Sequence, residues 1–214
     1  MLNTIFFAVA LLAQDKPTDI PKAQLPKAAE CIVCTSKGAG HEEEKPAAGV
    51  MYKGKAYYFC NTKEVAEFKK DPDAWVPLPL PRAMAKFDLA DLDGKVWNAE
   101  AFKNKVVLID FWATWCGPCK QVKPMVADQA AKHKSLVVLS VSIDEKKADL
   151  DKFLAKEKFV GPVLHDTKQV WAAWRVKGIP MLFLVKNGQV VAQWIGIPDK
   201  KELADAVEAA TKRQ

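Results

Sequence analysis

Asp110-Phe111-Trp112-Ala113-Thr114-Trp115-Cys116-Gly117-Pro118-Cys119-Lys120 decides how the chain folds. It begins inside residues 106–111, a continuous apolar, β-branched run of the kind buried in a parallel sheet. It leads into residues 120–134, where Val122, Met125, Val126 and Gln129-Ala130 recur at helical spacing. A strand therefore runs into a helix through Cys-x-x-Cys. Two intervening residues let the sulfurs meet in a disulfide, and the helix start sets Cys116 beside N–H groups that have no intrahelical acceptor. Such groups stabilise a thiolate, and motifs of this kind bring a cysteine to a pKa of about 7, against 8.5 for a free one. Cys119, one turn in, is then the expected resolving thiol. Asp110 lies near the end of the apolar strand, where burial raises a carboxyl pKa, and it is placed to take the Cys119 proton. The plainer readings are a satisfied buried carboxylate for Asp110, and a static disulfide or half a zinc site for the cysteine pair.

Working outward, residues 136–143 form a second apolar run, and 146–158 and 167–175 read as helices. Residues 181–185 and 189–195, joined by Asn187-Gly188, predict a hairpin whose turn dipeptide accepts positive φ. Residues 202–211 close the chain as a helix with Leu203, Ala206, Val207 and Ala210 inward. Strand and helix alternate from Arg82 onward, which predicts an α/β domain around a mixed sheet. His133 and His165 have no second ligand at metal spacing and read as surface or packing residues.

The cysteine string resembles that of the thioredoxin superfamily. Phe87-Asp-Leu-Ala-Asp-Leu-Asp-Gly-Lys95 and Phe102-Lys-Asn-Lys105 look like the opening strand and turn of its exported thiol–disulfide oxidoreductases, the TlpA/ResA-type redoxins that serve cytochrome c maturation. Gly178-Ile179-Pro180-Met181 matches the family's cis-proline loop, with Met181 where threonine is commoner. The resemblance covers residues 82–214 and implies a thioredoxin fold. It implies catalysis by Cys116, Cys119 and Asp110, and substrate contact by Trp115, Gly117, Pro118, Ile179 and Pro180. It further implies protein disulfides as substrates, no cofactor for the redox step, and a monomer. Gly-Pro between the cysteines favours a potential near about −270 mV, hence a reductase. An exported reductase needs a membrane thiol electron donor. A peroxidase of the same superfamily would need Thr-x-x-Cys, which Ala113-Thr114-Trp115-Cys116 does not supply.

Cys31 and Cys34 form a second Cys-x-x-Cys, and a stretch ending in Tyr58-Phe59-Cys60 brings a third thiol toward the same point. Thiolates so spaced grip a soft cation. With Glu67-Phe68 and Trp75 these residues are similar to the YHS/TRASH modules, small treble-clef-like units linked to metal handling. Glu64 stands where the family's fourth cysteine would be. Either Glu64 or His41 completes the set, or the position stays open, which suits copper(I) or a transferable zinc. A Cys31–Cys34 disulfide and a purely structural module are the competing readings. A unit of about fifty residues needs such a staple to fold alone.

Residues 5–13 are unbroken apolar and are followed by Gln14-Asp15-Lys16-Pro17. The run is short of the roughly 20 residues that span a bilayer and fits the apolar region of a secretory signal ending at Ala13, although no Lys or Arg precedes it. A buried N-terminal helix is the alternative. The expected organisation is a signal peptide (1–13), a proline-containing tether (14–27), the cysteine module (28–78) and the redoxin domain (79–214), in a periplasmic or otherwise exported protein. The chain carries 32 Lys+Arg against 26 Asp+Glu, and residues 14–80 hold ten of each, so the +6 excess lies in the second domain. Those lysines are spread along helix faces with acids between them, which excludes a nucleic-acid footprint. With half of the residues hydrophobic, disorder is excluded too. Two function classes stand at this point: a thiol–disulfide reductase, and a metal chaperone or sensor whose redoxin domain keeps its thiols reduced.

Overall fold

The computed structural model describes residues 16–36 and 43–212. The apolar run at 5–13 and His41 lie outside the described residues. The chain divides into two compact units, Met1–Ile32 with Glu42–Pro72, and Val33–His41 with Asp73–Gln214.

In the first unit, β1 (Thr18–Asp19), β2 (Ala48–Tyr52) and β3 (Lys55–Phe59) form an antiparallel sheet in that order. The short helix α1 (Ile32–Ser36) contains the boundary between the units, and α2 (Thr62–Lys70) follows β3. Asn61 caps α2 by accepting the Glu64 N–H at 3.0 Å. Alternation along the β2–β3 hairpin sends Val50, Tyr52, Tyr57 and Phe59 inward. Phe68 of α2 packs edge-on against Tyr52 and Phe59.

The second unit begins with β4 (Arg82–Ala83) and the two-stranded pair β5 (Asp88–Ala90) and β6 (Val96–Asn98). Then come β7 (Val106–Trp112), α3 (Cys119–Lys132), β8 (Leu136–Ser142), α4 (Lys147–Leu154), β9 (Val163–His165), α5 (Val170–Ala173), β10 (Met181–Lys186), β11 (Gln189–Ile195) and α6 (Lys200–Thr211). The six-stranded sheet has the order β4-β11-β10-β7-β8-β9. Strands β7, β8 and β9 are parallel, while β10 runs antiparallel to β7. This is the mixed sheet of a thioredoxin fold. Asn187 and Gly188 both take positive φ, at 52° and 76°, as the hairpin turn requires.

Period-two alternation gives the sheet two cores. Val107, Ile109, Phe111, Leu139, Val141 and Phe183 face one side with Trp174. Leu108, Val138, Leu182 and Leu184 face the other, against Val122 and Val126 of α3 and Leu203 and Val207 of α6. By the same alternation Asp110 falls on the α3 side with Leu108, a carboxylate in an otherwise apolar row. Two expected helices are shorter than their sequence pattern. The 167–175 segment is helical only over Val170–Ala173, because Gln169 takes a left-handed φ of 54° and Arg175 one of 57°. The 146–158 segment is helical over Lys147–Leu154.

Candidate functional site

The cysteine pair sits where β7 gives way to α3. Cys116 and Cys119 are joined in a disulfide, with Cα atoms 5.4 Å apart. Helix α3 starts at Cys119, with Pro118 before it and neither a side-chain cap nor an acidic residue in its first turn. The Cys119 N–H donates to Cys116 Sγ at 3.2 Å, so a backbone donor at the positive end of the helix is aimed at Cys116 and not at Cys119. Exposure does not separate the two, at 4% and 6%. The asymmetry comes from that N–H. The loop ahead of the pair is clamped by Asp144, whose carboxylate accepts from the Thr114 N–H, from Thr114 Oγ1 and from Ser142 Oγ. Sequence reading missed this clamp, because nothing in Ser142-Ile143-Asp144 marks a partner thirty residues away.

Asp110 pairs in register with Leu182 on one side and Ser140 on the other. It is 3% exposed, and its Oδ1 has no hydrogen-bond partner. Burial pushes its pKa up to about 7, the direction expected of a carboxylate that low-dielectric surroundings keep from ionising. Asp110 lines a cavity of about 20 Å³ together with Cys116, Cys119, Trp112, Lys123 and Phe159, room for about one water. It also lines a second cavity of about 210 Å³, with Lys123, Ser140 and Phe159. Trp112 stacks on Phe159 at 4.4 Å between ring centroids, which gives both cavities an aromatic wall. A protonatable carboxyl thus opens onto the space behind the disulfide.

The Ile179-Pro180 bond is cis. Pro180 is buried, its carbonyl accepts the Gly196 N–H at 2.9 Å, and Met181 pairs with Phe111 at the end of β7. Ile179 belongs to the same buried cluster as Cys116 and Cys119. Trp115 is 70% exposed, the most open of the exposed large apolar side chains. With Ile143, Trp171, Gly178 and Ile179 it lines a broad surface groove. Gly117 is exposed and Pro118 half-buried beside it, and a Cβ on Gly117 would touch nothing within 4 Å. The structure therefore brings Asp110 to the cavity that Cys116 and Cys119 line, and Ile179 to the groove that Trp115 lines.

A second cluster involves the three remaining cysteines, none of which is in a disulfide. Cys31 and Cys60 donate their thiols to the same oxygen of Glu64, at 2.9 and 3.0 Å. The ligand atoms of Cys31, Cys34, Cys60 and Glu64 all lie within 4.8 Å of one another. Sulfurs held about 2.3 Å from a tetrahedral zinc stand about 3.8 Å apart, so a small contraction of this set would close on a metal ion. Cys60 precedes α2 and Glu64 is in its first turn, while Cys31 and Cys34 flank the start of α1. Cys31 and Cys34 thus precede the β2–β3 hairpin in the chain, and Cys60 and Glu64 follow it.

The comparisons with known proteins agree with the larger unit. The sequence profile of the AhpC/TSA family matches residues 81–193, a span that leaves Cys31, Cys34 and Cys60 outside. Thioredoxin of Haemophilus influenzae is 33% identical over 118 residues, 55% of this chain and 88% of that protein. The crystal structure of a putative thiol:disulfide interchange protein DsbE from Chlorobium tepidum is 34% identical, with a TM-score of 0.59 over 64% of this chain and 100% of that one. The pneumococcal exposed lipoprotein thioredoxin of Streptococcus pneumoniae is 26% identical, with a TM-score of 0.52 over 58% of this chain and 99% of that one. A profile that spans more than half of the chain, and a thioredoxin matched over most of its own length, place the protein in the AhpC/TSA family as a thioredoxin-like thiol–disulfide oxidoreductase.

Proposed function

We propose that the protein is an exported thiol–disulfide reductase that serves the assembly of metal or cytochrome c centres. The observation that carries the redox part is the one-sided hydrogen bond from the Cys119 N–H to Cys116 Sγ, with Asp110 Oδ1 unpartnered behind the pair. The Cys116 thiolate attacks one sulfur of a substrate protein disulfide, forming a mixed disulfide and releasing the other sulfur as a thiolate. Cys119 passes its proton to ionised Asp110 and attacks Cys116 Sγ. The Cys116–Cys119 disulfide forms and the second substrate thiol leaves. Two electrons have moved to the substrate, and a membrane thiol donor returns them. Trp115, Gly117, Pro118, Ile179 and Pro180 form the surface against which the substrate chain lies.

The reading of the whole chain is a signal peptide (1–13), a tether (14–27), a YHS-like module (28–78) and a redoxin domain (79–214), acting as a monomer outside the cytoplasm. Support for export comes from the apolar run at 5–13 and from the likeness to the exposed pneumococcal lipoprotein. In the module, Cys31, Cys34, Cys60 and Glu64 are the residues that would hold a metal, and the ion would cross-link α1 to the start of α2. Three thiols and a carboxylate suit zinc or copper(I). The expected result is about one equivalent of metal per chain in protein purified from its native compartment, lost in Cys60→Ser. No metal, with Cys31 and Cys34 paired, removes the metal reading and leaves a second thiol relay.

The same cluster favours a second reading, a metal chaperone whose redoxin domain keeps its thiols reduced. If the two units share that task, Cys116→Ser in cells leaves Cys31, Cys34 and Cys60 more oxidised than in the parent. Equal thiol states in mass spectra of alkylated protein would separate the units functionally. Turnover of a generic disulfide substrate distinguishes enzyme from chaperone, since the enzyme needs Cys119 and the chaperone needs Cys60.

A further inference from the structure

On another wall of the second unit, three cations and two unsatisfied donors converge without an acid. Arg82, Arg175 and Lys177 line one small cavity with Trp75, Gln193 and Ser36, and no Asp or Glu lines it. Arg82 lies on β4, where one guanidinium nitrogen donates to Gln193 Oε1 at 2.7 Å while Nη1 is buried without a partner. Ser36 is 2% exposed and its Oγ is also buried without a partner. Burial and the neighbouring Arg175 guanidinium both hold Arg82 below its ordinary pKa range. Arg175 takes a left-handed φ of 57°, unusual for a residue with a side chain. Lys177 stands over the Trp75 ring at 6.0 Å. Among the described residues no carboxylate pairs with Arg82, Arg175 or Lys177.

Like charges brought together and buried donors left unmade both cost free energy, and a bound anion would remove both costs at once. Space decides which anion. The cavity holds about 20 Å³, room for about one water-sized body, so an anion enters edge-on from the open side, and a flat carboxylate inserts with less bulk than a tetrahedral phosphate or sulfate. A planar carboxylate also matches the guanidinium fork. We propose that Arg82, Arg175, Lys177 and Ser36 form a carboxylate-binding site, separate from the cysteine chemistry and taking either a small organic acid or the carboxylate of a polypeptide. Trp174 and Met181 are also in its wall, so an occupant braces the segment that carries cis Pro180.

The test is thermal unfolding of the full-length oxidised protein at matched ionic strength, which removes general screening. Sodium formate at ten times its Kd raises the midpoint by about 3–5 °C, and chloride and sulfate do not. Arg175→Gly, which suits the left-handed backbone, and Lys177→Gln, at an exposed position, both abolish the formate response. In formate-free buffer Arg175→Gly raises the midpoint whether or not an anion binds, since glycine relieves the left-handed backbone as well as the repulsion on Arg82, so the formate response alone is the readout. An acetylated alanine tripeptide with a free C-terminus, compared with its amide, distinguishes the sources. Tighter binding of the free acid than of formate identifies a polypeptide carboxylate, and no gain over formate identifies a small acid. The proposal is overturned if formate does nothing, if chloride or sulfate works equally well, or if both variants keep the full response.

Discussion

Cys116→Ser abolishes disulfide turnover, and Cys119→Ser turns the enzyme into a covalent trap; in both, steady-state reduction of a disulfide peptide is expected to fall by on the order of a thousandfold or more. The losses are alike in size and differ in kind. A serine hydroxyl does not ionise near neutral pH, so the Cys119 N–H that points at position 116 has no anion to stabilise and no mixed disulfide forms. With Ser at 119 the Cys116 thiolate still attacks, supported by an α3 first turn that has no acidic residue and no side-chain cap. No second thiol is then present to release the product. Mass spectrometry under non-reducing conditions should show the peptide attached through Cys116 in Cys119→Ser and nothing attached in Cys116→Ser. A peptide found on Cys119 of the Cys116→Ser variant would reverse the assignment of attacking and resolving thiols. Cys60→Ser, tested in parallel, should leave turnover unchanged.

The scaffold of this site was legible because its decisive signals are local. The runs at 106–111 and 136–143 are continuous and β-branched, and they became β7 and β8 with ends displaced by a single residue. Cys-Gly-Pro-Cys and Asp110 are fixed by short spacing on one strand-to-helix junction. The cis bond at Ile179-Pro180 was legible only through family resemblance, since nothing in the dipeptide itself requires it. Helix ends were read less well where side chains override pattern. The Asp166 carboxylate accepts the N–H groups of Lys168, Val170 and Trp171, so it starts α5 later than the apolar spacing suggested. What stayed hidden depends on long-range packing. The aromatic wall joins Trp112 to Phe153 and Phe159, and the cationic pocket joins Arg82 to Arg175 and Gln193. No periodicity announces such a meeting. Cys31, Cys34 and Cys60 were visible as spacing, whereas the sharing of one Glu64 oxygen by two thiols depends on the fold that brings Cys31 to α2.

Asp110→Asn should make the oxidised protein more stable and the enzyme slower. The carboxyl rises from an ordinary 3.8 to about 7 in the folded chain, because burial penalises its charged form. The folded state therefore holds this proton more tightly than the unfolded state does. The stability linked to it is fully present below pH 3.8 and is lost progressively as pH rises through about 7. At 1.36 kcal/mol per pH unit, the difference reaches a ceiling of about 4 kcal/mol above pH 8. Asn carries no charge but keeps a buried polar amide, at a cost of about 1–3 kcal/mol, so a net gain of roughly 1–3 kcal/mol is expected at pH 8. In urea unfolding the advantage of the variant should shrink as pH falls from 8 toward 4. An advantage that is constant with pH would mean that Asp110 is not the titrating group. The kinetic consequence has the opposite sign. Without a carboxylate to take the Cys119 proton, release of the mixed disulfide slows by about a hundredfold or more at pH 7, and the step near pH 7 in the parent's rate profile disappears. A variant that is more stable, slower and free of that step would show that the stability lost by burying Asp110 is tied to its role as proton acceptor. A variant that is more stable but equally fast, with its step intact, would leave Asp110 as a costly buried carboxylate and require another base for Cys119.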